Sequence, residues 1–142
     1  MMDINRLIEN FKSLDQWEDR YKLIIELGRQ TSAFTDAEKK DDYIVKGCMS
    51  KVWLIPDSKS LPYFEFRADS DAAIVKGLIH ILQICLSKKT VTEILDFEID
   101  PIFEELGLSQ HLSPGRRNGF YSMLKQIKLY ALVLSQHSKK HS

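Results

Sequence analysis

The chain has little of what marks a secreted, metal-binding or nucleic-acid-binding protein. Its 142 residues include only two cysteines, and its four histidines are scattered, two of them in the C-terminal tail. A disulfide framework, a zinc site and an iron–sulfur cluster each need several well-placed ligands, so none of them is expected. Twenty basic residues balance twenty acidic ones, and no net positive charge is available to bind nucleic acid. We therefore expect neither a bound metal nor a nucleic-acid partner.

Long hydrophobic runs are also missing. The first residues read MMDINRLIENF, and their charged positions break up the continuous apolar run that a signal peptide needs. The most apolar segment, residues 72–86, is interrupted by polar side chains and is too short to cross a bilayer. The sequence therefore predicts a cytoplasmic protein with no membrane segment.

What is present is the composition of one compact domain. The chain is 44% hydrophobic and 28% charged, and a chain of this length buries well over half of its unfolded surface in a single core. We treat residues 1–142 as a single domain and expect a flexible tail over residues 135–142. Helical spacing of apolar residues near both ends, on either side of a short group of strands, predicts an α+β fold in which N- and C-terminal helices pack on a small antiparallel sheet.

The strands and helix caps can be placed more closely. β-branched and aromatic residues predict strands over residues 43–45, 51–55 and 62–67, with a turn at Pro56, Asp57 and Ser58. Residues 72–86, apolar almost all round, predict a central buried helix. The expected helix caps are Asp3, a capping box of Asp15 with Glu18, Asp69 or Ser70 for the central helix, a capping box of Thr90 with Glu93, and Ser113 with Pro114 for the last helix.

The two cysteines have different sequence surroundings. Cys85 lies on the apolar central helix, where a thiol behaves as a small hydrophobe, so we expect it to pack in the core. His80 shares that helix and is expected to be a hydrogen-bonded boundary residue without a chemical role. Cys48 instead follows Gly47 in the stretch IVKGCMSKVW. Because glycine permits a sharp turn, this stretch predicts a loop that presents the sulfur between two strands.

Two opposing influences act on the pKa of Cys48. Lys46 and Lys51 would lower it and favour a reactive thiolate. Burial among the apolar neighbours would raise it; these neighbours are Val45, Met49, Val52 and Trp53. The residues alone leave open whether Cys48 is structural or a nucleophile. A cysteine-protease signature and a CxxC redox motif are both missing, so the remaining chemistry is that of a lone thiol that carries a group by thiol exchange.

Charged residues elsewhere admit two interpretations each. Asp71 lies at the expected start of the central helix, where capping and a favourable helix dipole are sufficient explanations. Arg116 and Arg117 fall in the first turn of the last helix, where cations oppose the dipole. They are either solvated surface charge or partners for a carboxylate, that of Asp71 or of another protein.

Three stretches together resemble one family. IVKGCMSKVW, ADSDAAIVKGLI and LSQHLSPGRRNG are similar, in order and spacing, to the motifs of the SufE family of cysteine desulfurase sulfur acceptors, and WEDRYKLIIELGRQ resembles its N-terminal helix. The resemblance covers residues 4–134 and implies a fold like that of SufE and of the IscU-type scaffold. It also implies a sulfur carrier that takes persulfide sulfur from a SufS-type desulfurase, stimulates that enzyme and passes the sulfur to a SufB-type scaffold that assembles iron–sulfur clusters.

The resemblance assigns roles to particular residues. Cys48 matches the acceptor cysteine, and support of the active loop or of the partner encounter is implied for Gly47, Ser50, Asp71 and Arg116. Met49 departs from the pattern, in which a polar residue such as glutamine is expected, so a hydrogen bond from that side chain is not carried over. The pyridoxal phosphate of the desulfurase would perform the carbon–sulfur chemistry, and this chain would bind no cofactor and would not be a stand-alone enzyme.

The carrier role leads to an expectation about the loop. A persulfide needs apolar cover, expected from Met49, Val52 or Trp53, and transfer needs the sulfur to reach another protein. We therefore expect Cys48 to be turned inward in the free protein and outward on docking, with Gly47 as the hinge. Two alternatives stay open at this point: an adaptor that regulates a desulfurase or scaffold by docking, with Cys48 as a loop residue only, and a small-molecule enzyme on the same fold.

Overall fold

The structure is a computed structural model that describes the backbone of residues 2–57 and 59–140 and the side chains as far as residue 136. Helices dominate it, and one pair of strands lies in the middle of the chain. A 3₁₀ turn, Asp41–Tyr43, precedes the strands. The elements are α1 (Ile4–Lys12), α2 (Trp17–Gly28), β1 (Val52–Asp57), β2 (Glu65–Ser70), α3 (Ala73–Leu86), α4 (Val91–Asp96), α5 (Asp100–Glu105), α6 (Leu108–His111) and α7 (Pro114–Lys140).

The sheet consists of β1 and β2, paired antiparallel from Val52 opposite Ser70 to Asp57 opposite Glu65. Residues 65–67 of β2 are exposed or half-buried, whereas residues 68–70 are buried and pair with the buried start of β1, so this end of the sheet lies in the core. Helices from both ends of the chain surround this small sheet. The predicted α+β class is confirmed.

Helix α3 is the centre of the core. It is buried on most of its circumference and packs closely against α2, because Gly77 leaves room for the backbone carbonyl oxygen of Ile24, which a Cβ at position 77 would overlap. The apolar face of α7 covers the other side of the core, as the helical spacing predicted. Its buried residues are Phe120, Met123, Leu124, Ile127 and Ala131.

The strand predictions need two corrections. The first predicted strand, residues 43–45, is wrong: Tyr43 ends the 3₁₀ turn, and Ile44 forms a single bridge with Trp53. Because the chain turns away from β1 at residue 46, the bridge is not extended into a strand. The last predicted strand is displaced, since β2 begins at Glu65 and continues past Arg67 to Ser70. Of the predicted turn, Pro56 and Asp57 lie inside β1, and Ser58 lies outside the described residues.

The helix caps are partly as predicted. Asp3 caps α1 through the Arg6 N–H, Thr90 with Glu93 forms a capping box on α4, and α7 begins at Pro114. The cap at Asp15 with Glu18 is wrong, because Gln16 occupies the N-cap of α2 without a side-chain bond.

The predicted side-chain cap of α3 is wrong, and the structure shows the reason. The helix begins at Ala73 behind Ala72, and no side chain caps it. Asp69 and Ser70 belong to β2, where both are buried. The side chain of Asp69 accepts from the backbone N–H of Phe34 at 2.9 Å, and that of Ser70 holds the segment containing Cys48. Pairing with β1 therefore keeps both residues in the strand, and Ser70 reaches the helix start only as the acceptor for the N–H of Ala72, at 3.2 Å.

The last helix, α7, continues further toward the C-terminus than expected. α7 continues to Lys140 and so extends into the predicted tail, residues 135–142, whose last two residues lie outside the described residues. The flexibility of that tail and the single domain over residues 1–142 stay predictions. Over the described ranges, no helix combines the length and the hydropathy that spanning a membrane would require.

Candidate functional site

Cys48 lies in a short loop, residues 46–50, between two points where the backbone is held together. On the sheet side, the Val45 N–H donates to the Val52 carbonyl at 2.8 Å. Because the bridge between Ile44 and Trp53 lies next to this bond, the two stems of the loop meet at its base. Movement of the cysteine therefore requires movement of residues 46–50 only.

Ser70 and Asp71 fix the second stem at Lys51. The Lys51 N–H donates to Asp71 Oδ1 at 3.1 Å. The Lys51 carbonyl accepts from the Ser70 hydroxyl at 2.8 Å and from the Asp71 N–H at 3.3 Å. Both polar backbone groups of Lys51 are thus satisfied by two neighbouring residues at the end of β2. This geometry fits the supporting position expected for Asp71.

Gly47 makes the turn that the sequence predicted. Its φ is +90°, a conformation in which residues with a Cβ are strained. The space beside it is also closed, because a Cβ there would lie 2.6 Å from the Oγ of Ser122 on α7. A glycine is therefore required both by the backbone and by the approach of the loop to the helix.

The thiol of Cys48 points toward α7. Its S–H donates to the carbonyl oxygen of Gly119, with 3.5 Å between sulfur and oxygen. The residue is partly buried, and burial raises the pKa of the Cys48 thiol. The direction of the pKa shift, which the sequence left open, is upward in this conformation, since the exposed Lys46 and Lys51 do not offset the burial. The inward thiol is protonated at neutral pH.

A small cavity of about 20 Å³ adjoins the cysteine. A single water molecule needs roughly 10–15 Å³ of such space, so the cavity has room for about one further atom of that size. Most of its walls are apolar and come from α3 and α7. The lining residues are Cys48, Met49, Ser50, Val75, Leu78, Gly115, Arg116, Gly119, Phe120 and Met123.

These walls differ from the expected ones. Of the three residues expected to cover the thiol, only Met49 lines the cavity, while Val52 and Trp53 are buried within β1. The cover comes instead from helices that are distant in sequence. Their apolar residues follow ordinary core spacing, and nothing in the sequence distinguishes those beside Cys48 from the rest.

The other predicted site residues are distributed around the loop. Ser50 and Arg116 line the cavity with Cys48, and the Arg116 side chain is exposed. Asp71 lies at the stem, and the ion pairs found among the described side chains do not join it to Arg116. Gly119 was missed as the acceptor for the thiol, although it ends the quoted stretch LSQHLSPGRRNG and lies one helical turn after Gly115.

The remaining candidates of the sequence lie away from this site. Cys85 is completely buried, as predicted, and burial raises the pKa of its thiol to about 12. His80 is half-buried at the edge of the core, and burial lowers the pKa of its imidazole. Its Nδ1 has no hydrogen-bond partner among the described residues, while a side-chain hydrogen bond to Gln83 partly opposes the effect of burial on the pKa. Within the same residues, no three histidine, cysteine or acidic side chains are grouped as a metal site would need.

Comparison with known proteins gives the fold and the family of the chain. A solved structure with a similar fold is the solution structure of a hypothetical protein from Thermus thermophilus, with a TM-score of 0.74 and 17% sequence identity over 94% of this chain and 96% of that one. At that identity the likeness shows the fold alone. The family model SufE, described as an Fe-S metabolism associated domain, matches residues 5–131. Since this match includes nearly the whole chain, the protein belongs to the SufE family and is associated with iron–sulfur metabolism.

Proposed function

We propose that the protein accepts persulfide sulfur from a cysteine desulfurase on Cys48, stimulates that desulfurase and delivers the sulfur for iron–sulfur cluster assembly. One observation carries the proposal: the Cys48 thiol lies on a loop whose backbone hydrogen bonds are at its stems, beside a cavity with room for about one more atom. Membership of the SufE family supports it. The donor is a SufS-type desulfurase, and the recipient is a SufB-type scaffold in the cytoplasm.

The transfer step is a thiol–persulfide exchange. The Cys48 thiolate attacks the outer sulfur of the persulfide on the desulfurase, and a new sulfur–sulfur bond forms. The sulfur–sulfur bond of the donor breaks, and its electron pair leaves with the donor cysteine as a thiolate. No external oxidant or reductant is consumed. The chain itself needs no cofactor, because the pyridoxal phosphate of the desulfurase has already cleaved the carbon–sulfur bond.

The exchange requires an outward position of the loop. A nucleophile must be a thiolate, whereas the inward Cys48 has a raised pKa because it is buried. Turning the loop outward restores hydration and lets the sulfur reach the donor. Gly47, with its φ of +90°, serves as the hinge, and Asp71 keeps the stem in place through Lys51. Arg116 is exposed beside the cavity, where its charge favours a thiolate or a partner carboxylate.

The inward position has the complementary role of protecting the product. A persulfide on Cys48 carries one additional sulfur, and the adjoining cavity of about 20 Å³ lies next to the thiol between apolar side chains of α3 and α7. Side chains that exclude water also exclude the soluble thiols that would reduce the persulfide. In this proposal, sulfur is transferred while the loop is outward and is carried while the loop is inward.

Incubation with a SufS-type desulfurase and free cysteine tests the proposal. Under non-reducing conditions, the intact mass of the wild-type protein should increase by one or more sulfur atoms, and peptide analysis should locate them on Cys48. Cys48→Ser should gain none. Cys85→Ala is the matched control and should gain sulfur as the wild type does, since Cys85 is buried in the core. A wild-type protein that gains no sulfur on Cys48 contradicts the proposal.

The same variants distinguish the adaptor alternative. A carrier loses its stimulation of the desulfurase when Cys48 is replaced by serine, because sulfur has nowhere to go. An adaptor would stimulate equally well in the Cys48→Ser form.

Loop opening has its own measurement. Amide hydrogen exchange over residues 45–51 should increase when the desulfurase binds, while exchange in α3 stays unchanged. Unaltered or slower exchange in the loop would contradict the hinge motion without contradicting the sulfur chemistry.

A further inference from the structure

The loop of Cys48 lies along α7 in a regular register. Gly47 approaches Ser122, Cys48 approaches Gly119 and Met49 approaches Gly115. The loop therefore runs antiparallel to the helix, and each of its residues faces a position about one helical turn from the next. Two of the three helix positions are glycines, which allow the loop to come close.

Of the glycines in this register, Gly115 has the space beside it most closely filled, and Met49 fills it. A Cβ at Gly115 would overlap the Met49 Sδ and would stand 3.2 Å from the Met49 Cγ. The Met49 thioether thus occupies the space that the Cβ of any other residue at position 115 would fill. Yet Met49 is 86% exposed, more than any other large apolar side chain among the described residues. Its side chain lies on the helix without being enclosed by the core.

The contacts that hold the tip of the loop are few. The stems are tied by Val45 and Lys51, but at the tip the thiol forms one long hydrogen bond to Gly119, 3.5 Å from sulfur to oxygen. Such a bond contributes little by itself, because thiols are weak donors. Besides this bond, the tip is held by the packing of the partly buried Cys48 against the core and by the seating of Met49 over Gly115.

We propose that Met49 and Gly115 form a latch that keeps the Cys48 loop against α7 in the free protein and releases it when a partner displaces Met49. Both are positioning residues, since they act on Cys48 and not on the transferred sulfur. Because Gly115 has no side chain, it leaves a gap on the surface of α7, and the flexible, unbranched side chain of Met49 fills this gap. The consequence of the latch for sulfur transfer rests on the proposed function, whereas its control of thiol exposure does not.

The test measures how fast iodoacetamide alkylates Cys48 in the free, folded protein. Gly115→Ala places a methyl group where the Met49 side chain lies and so displaces it. The alkylation rate should rise about five- to tenfold, the change expected when one apolar contact is lost. Alanine is also the better helix former, so the variant should fold, and urea unfolding confirms this. The half-maximal pH of the alkylation rate should fall as well, because the released thiol is better hydrated.

A second pair of variants separates the latch from a general effect on α7. Met49→Ala alone should raise the alkylation rate to a similar level. In the Met49→Ala background, Gly115→Ala should add nothing, because the new Cβ then has no side chain to displace. An unchanged rate in Gly115→Ala, or the same acceleration with and without the Met49 side chain, would overturn the latch. Neither result depends on a desulfurase, so the latch and the sulfur-carrier proposal fail independently.

Discussion

Cys48 and Cys85 are both covered by apolar groups, and burial raises the pKa of both thiols. Cys85 is fully buried in the last turns of α3, and its cover is the core itself. Cys48 is partly buried at the tip of a loop that is held there by few contacts. The cover of Cys85 is removed only when the core opens, whereas that of Cys48 is removed when residues 46–50 move. The free energy of opening, more than the burial seen in one conformation, distinguishes a reactive thiol from a structural one.

Helix α3 serves both cysteines in different ways. It carries Cys85 inside the core, and about two turns earlier it presents Val75 and Leu78 to the cavity beside Cys48. A rigid helix thus forms one wall of a site whose other side is a movable loop. In the proposed opening motion, such a wall would let the loop return to the same inward position.

The largest expected difference is in the rates at which the two thiols are alkylated in the native protein. Cys48 should react at least about a thousandfold faster than Cys85, because exposing a core residue requires an opening close to global unfolding, which costs several kcal/mol. Isotope-coded iodoacetamide followed by peptide mass analysis measures both rates in one sample. In denaturing urea the two rates should converge. Comparable rates in the native protein would mean that the core around Cys85 opens as readily as the loop.

A smaller difference is expected in stability when each cysteine is replaced by serine. Cys85→Ser buries a hydroxyl in an apolar core and should lower the free energy of unfolding by about 1–3 kcal/mol. Cys48→Ser should lower it by no more than about 0.5 kcal/mol, because the hydroxyl can donate to the Gly119 carbonyl as the thiol does. Urea unfolding of both variants gives the two values. Equal losses would show that the loop is as much a part of the stabilising core as α3.

Part of this contrast could be predicted from the sequence. The apolar helix around Cys85 and the glycine before Cys48 are local features, and they placed one thiol in the core and the other in a loop. The capping box of Thr90 with Glu93 and the start of α7 at Pro114 were also local, and both were found. These local signals were sufficient, but the equally local capping box predicted at Asp15 with Glu18 was not found, because Gln16 occupies the N-cap of α2.

The other features that were missed depend on residues far apart in the chain. The sign of the pKa shift at Cys48 depends on packing against α7, and the thiol's acceptor, Gly119, is 71 positions away. Asp69 was expected to cap α3, but it binds the backbone of Phe34, 35 positions away. Apolar spacing indicates that a helix face is buried without indicating what it covers, so the cavity beside Cys48 could not be predicted.

The smallest expected effect is on the pH dependence of Cys48 alkylation, and it tests whether the inward conformation is the ground state. The thiolate is the reacting form, and burial raises the pKa of the native thiol. At a given pH the folded protein therefore holds less thiolate than the unfolded chain, whose cysteines titrate near about pH 8.5. The rate–pH curve of native Cys48 should have its midpoint above that of the same residue in urea. A native midpoint at or below the unfolded one would mean that the loop is already open, and that the lysines at positions 46 and 51 govern the thiol instead of its apolar cover.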